Sequence, residues 1–235
     1  MRLEPFFSYY GSKWRLSPRY PDPLCQTIIE PFAGSACYSL FHGWKNSNQH
    51  VLFGCQKVKL FDVNEKICIL WKYLIEAKES EILELPLLKP NQRIPQDLPL
   101  GAQYLIGFWC SKAATSPQKK MAATARTDLG HWSENIRNRV ANQLKYIRHW
   151  TIEERCYTEI PNQEATWFVD PPYLVGGKKY TYSQIDYDFL GEWCQSRLGQ
   201  IIVCENEAAS WLPFKYLHTT KGLKNNTVEK YYSRK

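Results

Sequence analysis

The chain has 235 residues, 44% of them hydrophobic, which suffices for a sizeable core and argues against wholesale disorder. Lys and Arg number 30 against 23 Asp and Glu, so the net charge is +7 and suits a polyanionic partner such as nucleic acid. Nine Trp and fifteen Tyr add an aromatic surplus that suits base stacking.

The eight cysteines form no CxxC pair and have no His-rich neighbours, so no metal site is predicted. They are expected to be small buried apolar residues in a reducing compartment. The N-terminal segment 1–5 lacks the apolar core of a signal peptide, and no run of about 18 apolar residues could span a membrane. We therefore expect a cytoplasmic monomer or weak dimer that contacts no membrane.

The first predicted strand is the β-prone run at 27–29, which precedes Glu-Pro-Phe-Ala-Gly-Ser at 30–35. Apolar residues that follow indicate a helix opening after Gly34. A strand, a tight glycine turn and a helix N-terminus make a cradle for a polar ligand. A purely structural turn between strand and helix is the alternative.

The second predicted strand, 57–61, ends in Asp-Val-Asn at 62–64, and residues 67–74 then show helical spacing. In Rossmann-like folds an acidic residue at the end of the second strand binds a ribose hydroxyl. Asp62 is therefore a candidate nucleoside ligand. The alternative is that Asp62 or Asn64 caps the helix.

Prolines spaced through 85–100 exclude regular structure there, and the segment 112–126 is basic without any acid. Apolar residues at helical spacing predict an amphipathic helix over 135–149. The region 85–149 is thus predicted to be a basic helical insertion that contacts a polyanion, or else a lid or packing element with solvated charges. Its candidate nucleic-acid contacts are Lys112, Lys119, Lys120, Arg126, Arg137 and Arg139, to which Lys178 and Lys179 are added.

The remaining predicted elements alternate between strand and helix. They are strands at 151–153, 165–169 and 200–204, a helix at 187–197, and a hairpin of 215–219 with 227–232 whose turn is 222–226. This alternation implies an α/β fold with a mostly parallel sheet and one antiparallel edge.

Asp170-Pro171-Pro172-Tyr173 directly follows the apolar strand 165–169. The two prolines must end the strand, because neither can donate a hydrogen bond to a sheet. A carboxylate, free carbonyls and an aromatic ring then lie at the carboxyl edge of the sheet, where α/β folds bind ligands. Such a set can accept hydrogen bonds from an exocyclic amino group and stack on a planar base. The alternative is a stiff turn with a capping Asp and a surface Tyr.

Taken in order, the motifs at 30–35, 62–64 and 170–173 resemble the signature set of Dam-type N6-adenine DNA methyltransferases. The segment Tyr-Tyr-Gly-Ser-Lys at 9–13 resembles that family's Trp-Ala-Gly-Gly-Lys. The order matches the family's alpha arrangement, and the similarity excludes only the middle of the chain. The resemblance implies a Rossmann-like class I methyltransferase fold with its core at 1–84 and 150–235, and a target-recognition region at 85–149.

The resemblance also implies that S-adenosylmethionine lies across the switch point of the sheet, with Asp62 on its ribose. Asp170 and the carbonyl of Pro171 would bind the target amino group, while Tyr173 stacks on the extruded base of DNA. The implied catalytic residues are Asp170, Pro171, Pro172 and Tyr173. The implied cofactor-binding residues are Tyr9, Tyr10, Gly11, Lys13, Glu30, Phe32, Ala33, Gly34, Ser35, Asp62, Val63, Cys156, Tyr157 and Asp170.

Two positions depart from the family's pattern. A second glycine after Gly34 is replaced by Ala36-Cys37, and an acidic-aromatic pair before the tetrad reads Cys156-Tyr157. A catalytically inactive nucleic-acid-binding relative is therefore one alternative. Methylation of N4-cytosine or of an RNA amine is another, because the tetrad serves several exocyclic amines.

Overall fold

A computed structural model describes residues 3–43, 57–112, 114–126, 130–221 and 226–235. Seven strands of this described part form one sheet in the order β3-β2-β1-β4-β5-β7-β6. The strands are β1 (Thr27–Glu30), β2 (Lys57–Asp62), β3 (Thr151–Glu154), β4 (Ala165–Val169), β5 (Gly199–Asn206), β6 (Lys215–Thr220) and β7 (Thr227–Arg234).

The helices surround this sheet. They are α1 (Cys37–His42), α2 (Glu65–Glu76), α3 (Glu79–Leu83), α4 (Leu100–Trp109), α5 (Glu134–Gln143) and α6 (Tyr187–Gln195). Short 3-10 helices lie at 17–19, 144–146, 157–159 and 177–179. Among the helices that the structure describes, none has the length and apolar character that a membrane crossing requires.

Strands β1 to β5 run parallel, and β7 runs antiparallel to both β5 and β6. This is the doubly wound Rossmann order with one extra antiparallel strand inserted near the edge. It confirms the expected α/β class, with a Rossmann-like, mostly parallel sheet and a C-terminal antiparallel hairpin. The order reverses between β1 and β4, so the loops after these two strands face the switch point where such sheets bind ligands.

Side chains of β4 pack on both faces of the sheet. Trp167 lies against Trp193 of α6, whereas Phe168 points to the opposite face and packs on Tyr20 and Tyr38. All five residues of β4 are buried, as expected for a parallel strand with covered faces. The tetrad at 170–173 therefore leaves a strand whose position is fixed by the core.

The region 85–149 packs on the core instead of standing apart from it. Helix α4 approaches α2 at Gly101, where an added Cβ atom would come 2.2 Å from the Cβ atom of Tyr73. Trp132 is fully buried, and its indole donates to the carbonyl of Pro86 at 2.8 Å. Residues of the region belong to the same hydrophobic core as one face of the sheet. The region 85–149 therefore shares a hydrophobic core with the sheet, and the predicted boundaries at residues 85 and 149 do not separate two cores.

The predicted strands and the C-terminal hairpin are confirmed to within about two residues at each end, the uncertainty usual at element ends. The predicted hairpin turn at 222–226 lies almost wholly outside the described residues. The absence of helix and strand predicted over 85–100 is confirmed as far as Pro99, apart from one isolated bridge at Arg93, but α4 already begins at Leu100.

The prediction for the helix at 135–149 is wrong at its C-terminal end, because α5 stops at Gln143 and tightens into the 3-10 turn at 144–146. The guanidinium of Arg148 donates to the carbonyls of Ile75 and Ala77 at the end of α2. These contacts draw the chain away from the helix axis. The predicted helix at 187–197 likewise ends earlier, at Gln195.

Candidate active site

The loop between β1 and α1 contains two residues with left-handed backbone. Gly34 has φ +44° and Ala36 has φ +47°. This conformation costs a residue with a Cβ atom roughly 1–2 kcal/mol, so Ala36 is strained at a place where the family's pattern carries glycine. The Gly34 carbonyl accepts from the indole of Trp71 at 2.8 Å, which holds the loop against α2.

Glu30 ends β1 and is buried, with 2% of its surface exposed. Its Oε1 atom accepts from the amide of Ser39 at 2.8 Å, which ties the strand to α1. Burial raises the pKa of Glu30 to about 8, although hydrogen bonds from Ser39 oppose the shift. Glu30 therefore binds a proton readily near neutral pH.

Asp62 ends β2 and faces the same loop. Its Oδ2 atom accepts from the amide of Gly34 at 3.0 Å and its Oδ1 atom from the amide of Asn64 at 2.9 Å. Burial raises the pKa of Asp62 to about 6 against the effect of these backbone hydrogen bonds. The helix cap is supplied by Asn64, whose side chain accepts from the amide of Lys66. Asp62 thus shapes the loop, and its carboxylate lines the adjoining cavity.

Asp170 lies at the end of β4 and forms an ion pair with Lys13, whose Nζ atom is 3.0 Å from Oδ1. Lys13 also donates to the carbonyl of Gly11 at 3.0 Å, and its ammonium lies 4.5 Å from the centre of the Tyr173 ring. Burial raises the pKa of Asp170 to about 6, with Lys13 opposing and Glu229 adding to the shift. Burial lowers the pKa of Lys13, but the nearby carboxylates outweigh it and raise the value above its usual range.

The remainder of the tetrad is held by hydrogen bonds. The hydroxyl of Tyr173 donates to Oε1 of Glu229, and that of Tyr187 donates to the carbonyl of Pro172 at 2.7 Å. Among the described residues, no donor contacts the carbonyl of Pro171. One oxygen beside Asp170 is therefore open to an incoming donor. We call Lys13, Asp170, Tyr173 and Glu229 together the junction.

Two cavities meet at the junction. The larger one, about 620 Å³, is lined by the loops after β1 and β2, and all fourteen predicted cofactor-binding residues line it. The smaller one, about 480 Å³, is lined by Asp170, Pro171, Tyr173 and Glu229. Both are lined by Lys13, Asp170 and the segment 9–12. The structure thus brings the predicted cofactor and catalytic residues together around one carboxylate.

The far end of the larger cavity carries an aromatic pair. The rings of Phe32 and Tyr157 lie 5.3 Å apart and are inclined by 34°. Beside them, the sulfur of Cys156 accepts from the hydroxyl of Thr158 at 3.1 Å. This end therefore offers apolar and aromatic contact to a flat ring, and Cys156 brings no carboxylate to it.

Tyr180 borders both cavities, although no sequence pattern singled it out. Its hydroxyl donates to the carbonyl of Tyr10 at 3.1 Å, and its ring lies 6.1 Å from that of Tyr9. Gly11 has φ +75°, and an added Cβ atom there would come 2.1 Å from the Tyr180 hydroxyl. Glu229 was missed too, since one glutamate in a polar strand gives no local signal.

The predicted nucleic-acid contacts fall into two groups. Arg137 donates to the carbonyl of Leu85, and Arg139 pairs with Glu4 and lies 5.5 Å from the Trp109 ring centre, so both hold the fold together. The others have exposed side chains, with Lys179 placed 4.8 Å from the ring centre of Tyr10. These exposed residues are Lys112, Lys119, Lys120, Arg126, Lys178 and Lys179.

Arg93 is a further basic residue at the surface of the region 85–149, where two segments pair. Segments 91–94 and 119–121 form a short antiparallel contact, here called the basic ladder, through hydrogen bonds such as Ile94 N to Lys119 O at 3.1 Å. Arg93 and Lys120 lie opposite each other in it. The flanking bonds make them a non-hydrogen-bonded pair, the arrangement in which side chains come closest. Among the described residues neither forms an ion pair.

No family model matches the chain, and no curated protein matches it either. Similar solved structures include Escherichia coli yhhF, described as a putative methyltransferase, with 10% identity over 94% of this chain and 80% of that one and a TM-score of 0.40. A conserved hypothetical protein of Streptococcus pyogenes has 10% identity over 91% and 88%, with a TM-score of 0.37. Haemophilus influenzae HI0767, described as a putative methylase, has 9% identity over 93% and 83%, with a TM-score of 0.34.

Proposed function

We propose that this protein is an S-adenosylmethionine-dependent DNA methyltransferase that modifies the N6 amino group of adenine. The observation that carries the proposal is the meeting of two cavities at Asp170. A group-transfer enzyme must present a donor and an acceptor to one another in a fixed geometry, and such positioning supplies much of the rate enhancement. Two pockets that share one carboxylate provide this arrangement.

The larger cavity fits the cofactor. Its volume of about 620 Å³ lies within the range common for small-molecule sites, roughly 300–1,000 Å³. Asp62 would hold the ribose hydroxyls, Phe32 and Tyr157 would contact the adenine ring, and the left-handed turn at Gly34 would let the backbone approach the methionine portion. S-adenosylmethionine supplies a methyl group activated on a sulfonium. Among the described residues no cluster suited to a metal ion occurs, and the proposed chemistry uses none.

The smaller cavity would take the target base. Asp170 and the carbonyl of Pro171 would both accept hydrogen bonds from the exocyclic amino group, whose lone pair is otherwise conjugated with the ring. Two fixed acceptors favour a more tetrahedral nitrogen with its lone pair directed at the methyl group. Lys13 pairs with the Oδ1 atom of Asp170, and the Oδ2 atom would accept from the amino group.

Two features support DNA as the partner, namely the charge of the chain and the depth of the site. The base must leave the duplex to reach Asp170, at a cost of a few kcal/mol that stacking on Tyr173 partly offsets. The chain carries a net charge of +7, and the exposed lysines around both cavities and on the insertion would contact phosphates. We assign this role first to Lys112, Lys119, Lys120, Arg126, Lys178 and Lys179.

Methyl transfer to DNA tests the proposal directly. Purified protein is incubated with DNA and S-adenosylmethionine carrying a labelled methyl group, and the nucleosides are released by nucleases and identified by mass spectrometry. We expect N6-methyladenine, abolished in Asp170→Ala and retained in Asp186→Asn, which replaces the N-cap of α6 with another good cap. Label on cytosine or on RNA alone, or label that survives Asp170→Ala, would refute the proposal.

A further inference from the structure

A buried carboxylate behind the tetrad receives two tyrosine hydroxyls. Glu229 is 5% exposed, and its Oε1 atom accepts from Tyr173 and also, at 2.7 Å, from Tyr20. The residues are far apart in the chain, since Tyr20 and Glu229 are separated by 209 positions. A buried carboxylate that accepts hydrogen bonds from distant segments restrains the side chains that donate to it.

The strand that carries Glu229 is suited to such a role. Glu229 lies on β7 between Asn206 of β5 and His218 of β6, within the sheet. Strand β6 shifts register beside it, between Tyr216 and His218. Bulges of this kind re-aim side chains and are common next to active sites. The carboxylate is thus placed by rigid elements on both sides.

Both hydroxyls stay protonated donors. Burial and the neighbouring carboxylates raise the pKa of Tyr173 and of Tyr20 well above the usual value. The Tyr173 ring is then fixed at both ends, by the tetrad backbone and by its hydroxyl on Glu229. Rotation about the bond between Cα and Cβ would carry the hydroxyl away from Glu229, so this hydrogen bond fixes where the ring lies.

We infer that Glu229 is the positioning residue for Tyr173, and that it fixes the place of the ring on which the target base stacks in the smaller cavity. This inference rests on the proposed function. Glu229 acts through Tyr173 and need not touch the base. Its effect is to hold the ring in one position beside Asp170, so that a planar base with an exocyclic amine is received next to the carboxylate.

A double-mutant cycle tests this inference. Tyr173→Phe keeps the ring and removes only the hydroxyl, whereas Glu229→Leu removes the acceptor. Each single variant is expected to lower kcat roughly tenfold, about the effect of one hydrogen bond to a charged group. The double variant should be no worse than either, because both changes break the same contact. The cofactor Kd should stay within about twofold of the wild-type value, since both changes spare the larger cavity.

Two further variants separate positioning from support of the fold. Glu229→Gln keeps an acceptor oxygen and should retain most of kcat, whereas Tyr20→Phe removes the other donor and should lower kcat less than Tyr173→Phe does. Circular dichroism confirms that each variant is folded, and Tyr173→Phe decides the matter should Glu229→Leu fail to fold. Full kcat in Tyr173→Phe, or additive losses in the cycle, would overturn the role of Glu229. A wild type that methylates no adenine would instead remove the proposed function, and this role with it.

Discussion

Charged side chains at the junction between the cavities differ in their pairing from those at the basic ladder of the region 85–149. At the junction, Lys13 pairs with Asp170 at 3.0 Å, and Glu229 accepts two hydroxyls. At the ladder, Arg93 and Lys120 lie face to face, and neither forms an ion pair within the part of the chain that the structure describes. Charges in the first region are paired inside the protein, whereas those of Arg93 and Lys120 face solvent.

This difference in charge pairing indicates different roles for the two regions. A charge already held by partners is pre-organised, so it can direct chemistry without rearranging. A pair of like charges facing each other is mildly destabilising until a polyanion neutralises it. Removing the charge of Asp170 should therefore cost function and removing that of Lys13 should cost stability, whereas removing a charge at the ladder should add stability.

Replacement of Asp170 is expected to have the largest effect. Asp170→Asn keeps the size of the side chain but removes its negative charge and one of its acceptor oxygens. We expect kcat for methyl transfer to fall roughly 100- to 1,000-fold, as when one fixed hydrogen-bonding group is lost from an active site. Single-turnover kinetics measure the change, and Asp186→Asn is the matched control. A loss of less than tenfold would mean that Asp170 is only a turn residue.

Replacement of Lys13 tests the ion pair through stability. Lys13→Met leaves Asp170, whose side chain is 22% exposed, without its cationic partner. We expect the free energy of unfolding, measured with urea, to fall by about 1–3 kcal/mol. This loss is smaller than for a fully buried ion pair, because Asp170 is partly exposed to solvent. Lys66→Met is the control, since Lys66 is exposed and its ammonium donates to the hydroxyl of Ser116, a neutral group. Equal losses in both variants would contradict a special role for the pair.

The pH dependence of the reaction should report Asp170. Its pKa is raised to about 6, so the carboxylate becomes protonated and stops accepting hydrogen bonds as the pH falls through this value. We expect kcat/KM to drop about tenfold for each pH unit below 6, measured in buffers of constant ionic strength. The sign for stability is opposite. The folded state binds this proton more tightly than the unfolded chain, so Asp170 destabilises the fold as the pH rises from about 4 to 6.

A rate that stays flat down to pH 5 would show that Asp170 does not limit the reaction as an acceptor. Glu30 supplies an internal comparison, because burial raises its pKa further, to about 8. Glu30→Gln should flatten the pH dependence of stability between about 5 and 8 without moving the inflection of kcat/KM near 6.

The sequence predicts most of the sheet and the centre of the site, for local reasons. An apolar run stopped by two prolines marks β4 and the tetrad at 170–173, and a glycine between a strand and a helix marks the turn at Gly34. Each signal is contained in a few neighbouring residues. The family resemblance of the motifs also implied one cofactor site for Asp62 and Asp170, and both residues line the larger cavity.

What the sequence could not predict arises from contacts between distant segments. Glu229 reaches Tyr173 across 56 positions, and Tyr180 reaches Tyr10 across 170. Neither has a neighbour that indicates its role. The end of α5 was misplaced for a similar reason, because Arg148 binds carbonyls 73 and 71 positions earlier while the apolar spacing continues.

The smallest predicted effect belongs to the ladder, and its sign distinguishes the two regions. Lys120→Gln removes one of two facing positive charges, so the free energy of unfolding should rise by about 0.2–0.5 kcal/mol. Lys120→Glu should raise it further by creating an attractive pair with Arg93.

The affinity for DNA should change in the opposite direction, being lowered by Lys120→Gln and lowered further by Lys120→Glu. Each lost cation should reduce the slope of log K against log salt by about 0.9 if it contacts a phosphate. Fluorescence anisotropy over a salt series and urea unfolding measure the two quantities on the same variants. If the ladder only supports the fold, both variants should be less stable than the wild type and the salt slope should not change. If stability rises while DNA affinity falls, the facing charges are retained to bind a polyanion.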